Sequence, residues 1–127
     1  MASVFLIVDD SQTSRVSLMH ALEMTGIPIA QVYQASNGAE ALEILGKQWV
    51  DMVFTDLNMP IMAGDELLKA IRANPVTSAL AVAVITSEGG QAHLNELKEL
   101  GATHICRKPF RAEMMKEILL KSLGDWT

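Results

Sequence analysis

Two adjacent carboxylates, Asp9 and Asp10, close the apolar run VFLIVDD, and polar residues close other apolar runs further along the chain. MVFTD ends in Asp56, AVAVITS in Thr86 and Ser87, and THICRK in Lys108. If Asp9 and Asp10 sit about 5 Å apart near a surface with an effective dielectric of about 20, their repulsion is roughly 3 kcal/mol. Asp56 beside them adds to that cost, and a single lysine offsets only part of it. A divalent cation balances the set. Hard oxygen ligands select magnesium, with manganese as a substitute, and magnesium keeps several waters beside one or two carboxylates. Such a site has room for a phosphoryl group. An aspartate carboxylate can itself attack phosphorus and form an acyl phosphate. In that chemistry Asp56, from the middle of the set, is the acceptor, Lys108 adds compact positive charge and the Thr86 hydroxyl donates a hydrogen bond. The aspartate pair then reads as a metal seat, with solvated loop acids as the plainer alternative.

These residues must be brought together by the elements that end in them. Short apolar runs at 4–8, 30–35, 52–55, 80–85 and 104–107 alternate with stretches of helical spacing. After Asp10, Val16, Leu18, Met19 and Leu22 form a helical stripe that Gly26 stops. Ser36 or Asn37 caps a second helix with Ala41, Leu42, Ile44 and Leu45 facing inward. DELLKAIRA follows the MPIMAG turn and ends before Asn74-Pro75, and two further helices span about 91–100 and 112–123. Unbroken apolar strands alternating with helices specify an α/β protein with a parallel sheet covered on both faces. In such sheets ligands bind beyond the carboxyl ends of the strands, where the strand order reverses. Strands one, three, four and five deliver Asp9/Asp10, Asp56, Thr86 and Lys108 to that edge, and strand two adds nothing obvious.

DD at 9–10, TDLNMPIMAGDELL at 55–68, the Thr86-Ser87 strand end and KPF at 108–110 resemble the receiver domain of two-component response regulators over essentially the whole chain. The resemblance is nearest to single-domain, chemotaxis-type regulators. It implies a flavodoxin-like (βα)5 sandwich with a five-stranded sheet of order 2-1-3-4-5, and one receiver domain over 1–127 without an output domain. It implies that Asp56 takes a phosphoryl group from a histidine kinase or phosphotransfer protein. Asp9 and Asp10, one oxygen of Asp56 and the backbone carbonyl of Asn58 hold Mg2+. Lys108 contacts the phosphoryl group, and its bond to Pro109 is cis, a form taken by about 5–6% of X–Pro bonds. Asn58 and Glu88 occupy the positions that tune loss of the phosphoryl group to water. Phosphorylation draws Thr86 inward and changes the face made by helix four, strand five and helix five, where a downstream protein binds.

Two positions depart from the pattern. Ile105 stands where the family often has Tyr or Phe, so coupling to Thr86 cannot use an aromatic flip. Ala63 stands where MPxMDG usually has aspartate, a change expected to act on turn geometry.

Composition narrows the function classes. The 127 residues, 50% of them apolar, suffice for one core and leave no room for a second domain of useful size. Ten basic against 15 acidic residues give a net charge of −5 without a Lys/Arg cluster, which argues against direct nucleic-acid binding. No apolar run approaches the roughly 20 residues of a membrane helix. Cys106 is the only cysteine and reads as a buried thiol in a reducing, cytoplasmic setting. His20, His93 and His104 lack metal-like spacing, and the methionines at 59, 62, 114 and 115 read as packing residues. The expected molecule is not a conventional enzyme, and is a monomer or a dimer linked to phosphorylation. Three other readings stay open: a docking module that works without phosphorylation, a receiver cut from a longer regulator, and a phosphatase of the haloacid-dehalogenase type. The last needs a second acid where the chain has Asn58.

Overall fold

The computed structural model describes residues 2–87 and 89–124. Five strands, β1 (Ser3–Val8), β2 (Ile29–Ala35), β3 (Met52–Asp56), β4 (Ala81–Thr86) and β5 (His104–Arg107), alternate with α1 (Gln12–Met24), α2 (Gly38–Leu45), α3 (Gly64–Ala73), α4 (Gln91–Glu99) and α5 (Ala112–Leu123). All strand pairs are parallel, in the order β2-β1-β3-β4-β5.

The period-2 alternation of strand side chains divides the apolar runs between two cores. Phe5, Ile7, Met52, Phe54, Ala83, Ile85 and Cys106 meet Leu18 and Leu22 of α1 and Met115 and Leu119 of α5. Their neighbours Leu6, Val8, Val53, Val82 and Val84 meet Ala41 of α2, Leu67, Leu68 and Ile71 of α3, and Leu97 of α4. Because both faces are covered, the central strands β1, β3 and β4 carry apolar residues at nearly every position and read as unbroken runs, whereas the edge strand β2 exposes Gln31 and Gln34. Phe5 and Phe54 pack edge to face with ring centroids 5.9 Å apart.

The element pattern read from the sequence holds, with shifts of one residue at several ends. One inward assignment fails: Val16 is 42% exposed, and Ala21 takes its place in the buried stripe of α1. The helical period drifts, and the face of α1 that meets the sheet runs through Leu18, Ala21 and Leu22. Gly26 and Gly101 follow α1 and α4 with φ of +82° and +102°, conformations that glycine adopts without strain. Cys106 is buried, and burial pushes its thiol up to about 11.

Candidate metal centre at the carboxyl edge of the sheet

The chain leaves β1 toward β2 on one side and returns to β3 on the other, so the carboxyl ends of β1 and β3 flank the point where the strand order reverses. Val8 pairs with Thr55, which sets Asp9 and Asp56 one step further along the same two strands. Oxygens of Asp9, Asp10 and Asp56 lie within 4.8 Å of one another. Asp9 is buried, Asp56 half-buried and Asp10 exposed. From β5, the Lys108 ammonium reaches to 3.6 Å from Asp56 Oδ1 and 4.0 Å from Asp9 Oδ2.

Backbone donors orient Asp9 and Asp56. The Ser11 N–H donates to Asp9 Oδ1 at 2.9 Å, and the Leu57 N–H donates to Asp56 Oδ1 at 2.8 Å. The loop after Asp56 folds back, with the Gly64 N–H donating to the Leu57 carbonyl at 2.8 Å. A Cβ on Gly64 would collide with the Asp56 carbonyl oxygen, so only glycine permits this approach. At the tip of the loop the Met62 N–H donates to the Pro60 carbonyl at 2.7 Å around Ile61, which has φ of +67° and is 82% exposed. A β-branched residue in that region is a strained outlier. Ala63, in the position just before α3, makes no side-chain cap bond, so the missing aspartate is felt as a missing helix cap.

The remaining candidates lie around this cluster. Thr86 is buried at the end of β4, and its carbonyl accepts the Lys108 N–H at 2.9 Å. The Lys108–Pro109 peptide bond is cis. Asn58 is exposed at the start of the β3–α3 loop. Ile105 pairs with Val84 and packs against the core on the α4 side. Glu88 lies outside the described residues. His20 is exposed on α1, and His104 meets the Ser122 hydroxyl at 2.7 Å. Met115 is fully buried, while Met59, Met62 and Met114 pack at the edges of the two cores.

The cluster is short of positive charge. Burial raises the Asp9 carboxyl above its ordinary range, and the charges of Asp56 and Asp10 add to the rise, against the opposing Ser11 N–H and Lys108. Three carboxylates of hard oxygen donors within reach of one centre suit a divalent cation, which supplies the charge that one lysine does not. Two groups that sequence reasoning missed support this edge. Arg15 donates to the backbone carbonyl of Asp9, and the strained Ile61 shapes the loop beside Asp56. Neither carries a signal in residue type or spacing.

Residues 5–120 match the family described as the response regulator receiver domain. A probable chemotaxis protein CheY of Rhizobium etli is 39% identical over 119 residues, which cover 94% of this chain and 91% of that protein. Chemotaxis protein CheY-3 of Vibrio cholerae is 40% identical over 116 residues, covering 91% of this chain and 88% of the relative. Among solved structures, the chemotaxis response regulator CheY4 of Vibrio cholerae superposes with a TM-score of 0.85 at 32% identity, covering 97% of this chain and all of that one.

Proposed function

This chain belongs to the response regulator receiver family, and we propose that it is a signalling switch driven by phosphorylation of Asp56. The observation that carries the reading is the meeting of Asp9, Asp10 and Asp56 oxygens within 4.8 Å, with the Lys108 ammonium 3.6 Å from Asp56.

Asp9 and Asp10, directly or through water, one oxygen of Asp56 and the backbone carbonyl of Asn58 would hold Mg2+, and Mn2+ could substitute. When bound, the ion neutralises phosphoryl oxygens as charge builds on them. Asp56 Oδ1 already accepts the Leu57 N–H and faces Lys108, so Oδ2 attacks phosphorus. The new O–P bond forms as the P–N bond of a phosphohistidine breaks, and the histidine nitrogen keeps the electron pair. Lys108 holds one phosphoryl oxygen and the Thr86 hydroxyl donates to another. Asn58 and Glu88 set how readily water removes the group.

Phosphorylation replaces the charge of a carboxylate with that of a phosphoryl dianion, adding about one negative charge and strong acceptor oxygens. Thr86 moves toward them, and the β4–α4 loop follows. With Ile105 on β5 an aromatic flip is excluded, so the movement reaches the α4-β5-α5 face through aliphatic packing. The donor is a histidine kinase or phosphotransfer protein, and the output is contact with a downstream protein in the cytoplasm. The receiver acts as a monomer or as a phosphorylation-linked dimer.

Incubation with acetyl phosphate and Mg2+, read by intact-protein mass spectrometry, tests this. The wild type gains one phosphoryl group, and Asp56→Asn gains none. Equal labelling of the two proteins, or no labelling of either, overturns the proposal.

A further inference from the structure

Arg15 holds the aspartate pair from behind, and none of the chemistry above uses it. It is half-buried one turn into α1. Its Nη1 donates to the Asp9 backbone carbonyl at 2.5 Å, and its Nε donates to Gln34 Oε1 on β2 at 2.9 Å. The charge of the guanidinium is also felt at α2. The Glu40 carboxyl is held below its ordinary range first by the Ser36 N–H and hydroxyl, and in smaller part by the charge of Arg15. Two donors in the fixed fork of a guanidinium therefore join β2 to one peptide bond.

That peptide is the one between Asp9 and Asp10. The Asp9 residue is fixed on its other side too, because its N–H donates to the Ala35 carbonyl at 3.0 Å and its Oδ1 accepts the Ser11 N–H. The orientation of the Asp9–Asp10 peptide plane sets the direction in which the exposed Asp10 side chain leaves the backbone. Resting on the reading of this edge as a Mg2+ site, we propose that Arg15 is a positioning residue that aims the Asp10 carboxylate by holding the Asp9–Asp10 peptide. Groups behind metal ligands act in this way elsewhere, and their loss typically weakens metal affinity by about 10–100-fold.

The sign of the effect separates positioning from charge. A guanidinium near a cation site repels the incoming ion, so removing it by charge alone tightens Mg2+ binding. Removing a positioning group loosens it. Isothermal titration with Mg2+ at fixed ionic strength on the wild type, Arg15→Gln, Arg15→Lys and Gln34→Ala reads the difference. Arg15→Gln is expected to weaken Mg2+ binding by about 10-fold despite the lost positive charge. Arg15→Lys falls with it, because one ammonium lacks the planar fork that meets both Gln34 and the Asp9 carbonyl. Gln34→Ala, which leaves every ligand and charge in place, weakens binding by about 2–3-fold through the loosened outer anchor. In the metal-free protein the Asp10 amide 15N resonance, from the same peptide, moves in all three variants.

Mg2+ affinity in Arg15→Gln equal to or tighter than that of the wild type overturns the inference while leaving the Mg2+ site standing. A wild type that takes up no Mg2+ overturns both together. If Arg15→Gln does not fold, Gln34→Ala decides, and an unchanged affinity there overturns the inference.

Discussion

The loops after β1 and β2 lie on the same edge of the sheet as those after β3, β4 and β5, but their helices begin differently. Ser11 accepts the Ser14 N–H at the start of α1, and Asn37 accepts the Glu40 N–H at the start of α2. Glu40 reaches back to the Ser36 N–H at 2.9 Å, which closes that turn twice. Helices α3, α4 and α5 follow Ala63, Gly90 and Arg111, without a side-chain cap bond among the described residues. A cap contributes about 1 kcal/mol, so the half that carries the aspartate pair is locked. The half that carries Thr86, Lys108 and the Asp56 loop is easier to rearrange.

The two ends of α4 repeat the contrast. Its start is uncapped, whereas its end is held by Arg72 of α3. Arg72 Nε and Nη2 donate to the Gly101 carbonyl at 2.9 and 2.7 Å, and Nη1 donates to the Leu80 carbonyl at 2.6 Å. The ligand edge is thus left movable on one side, and the opposite pole of the sheet is tied down. The tied carbonyls and the uncapped helix starts lie at different ends of the same elements.

The largest expected effect falls at the tied pole. Arg72→Ala leaves the Gly101 and Leu80 carbonyls without this donor and should lower unfolding stability by about 3 kcal/mol in urea titration. Mg2+ affinity should stay unchanged. A loss of Mg2+ binding in step with stability would erase the division between the two ends.

A smaller effect is expected at the acidic pocket. The Asp9 carboxyl is raised in the fold by burial and by its neighbouring acids. Stability from such a group is complete below the unfolded pKa of about 3.9 and is lost as pH rises through the raised folded value. Above that window the metal-free fold bears a charged Asp9 as a penalty. Asp9→Asn keeps an acceptor for the Ser11 N–H and should stabilise the metal-free protein by about 1 kcal/mol at pH 7. The gain should vanish toward pH 3. Urea midpoints measured in EDTA at both pH values check it, and a gain that grows on acidification contradicts it.

The smallest effect sharpens the capping contrast. Arg111 has extended backbone angles suited to a cap, φ −128° and ψ 158°. Arg111→Ser should add about 0.5 kcal/mol, seen as a raised thermal midpoint. Ser11→Ala and Asn37→Ala, on the already capped half, should move it in the opposite direction.

What the sequence made legible follows from periodicity. Asp9, Asp10, Asp56, Thr86 and Lys108 could be placed on one edge because each follows an apolar run, and parallel strands separated by helices must all point their carboxyl ends the same way. The strand order came from resemblance, since alternation alone does not fix which strands are neighbours. Arg72 and Arg15 were invisible for a different reason. Each donates to backbone carbonyls, in one case 29 residues away, and a carbonyl leaves no mark on residue identity. The positive φ of Ile61 was hidden in the same way, because MPIMAG contains no glycine or asparagine at that position to announce it.

Equilibrium dialysis against Mg2+ decides whether the three aspartates form a seat for one dication. The wild type should take up a single Mg2+ saturably, and uptake should be lost or greatly weakened in Asp10→Asn and in Asp56→Asn. Uptake that is absent in the wild type, or undiminished in both variants, would contradict it.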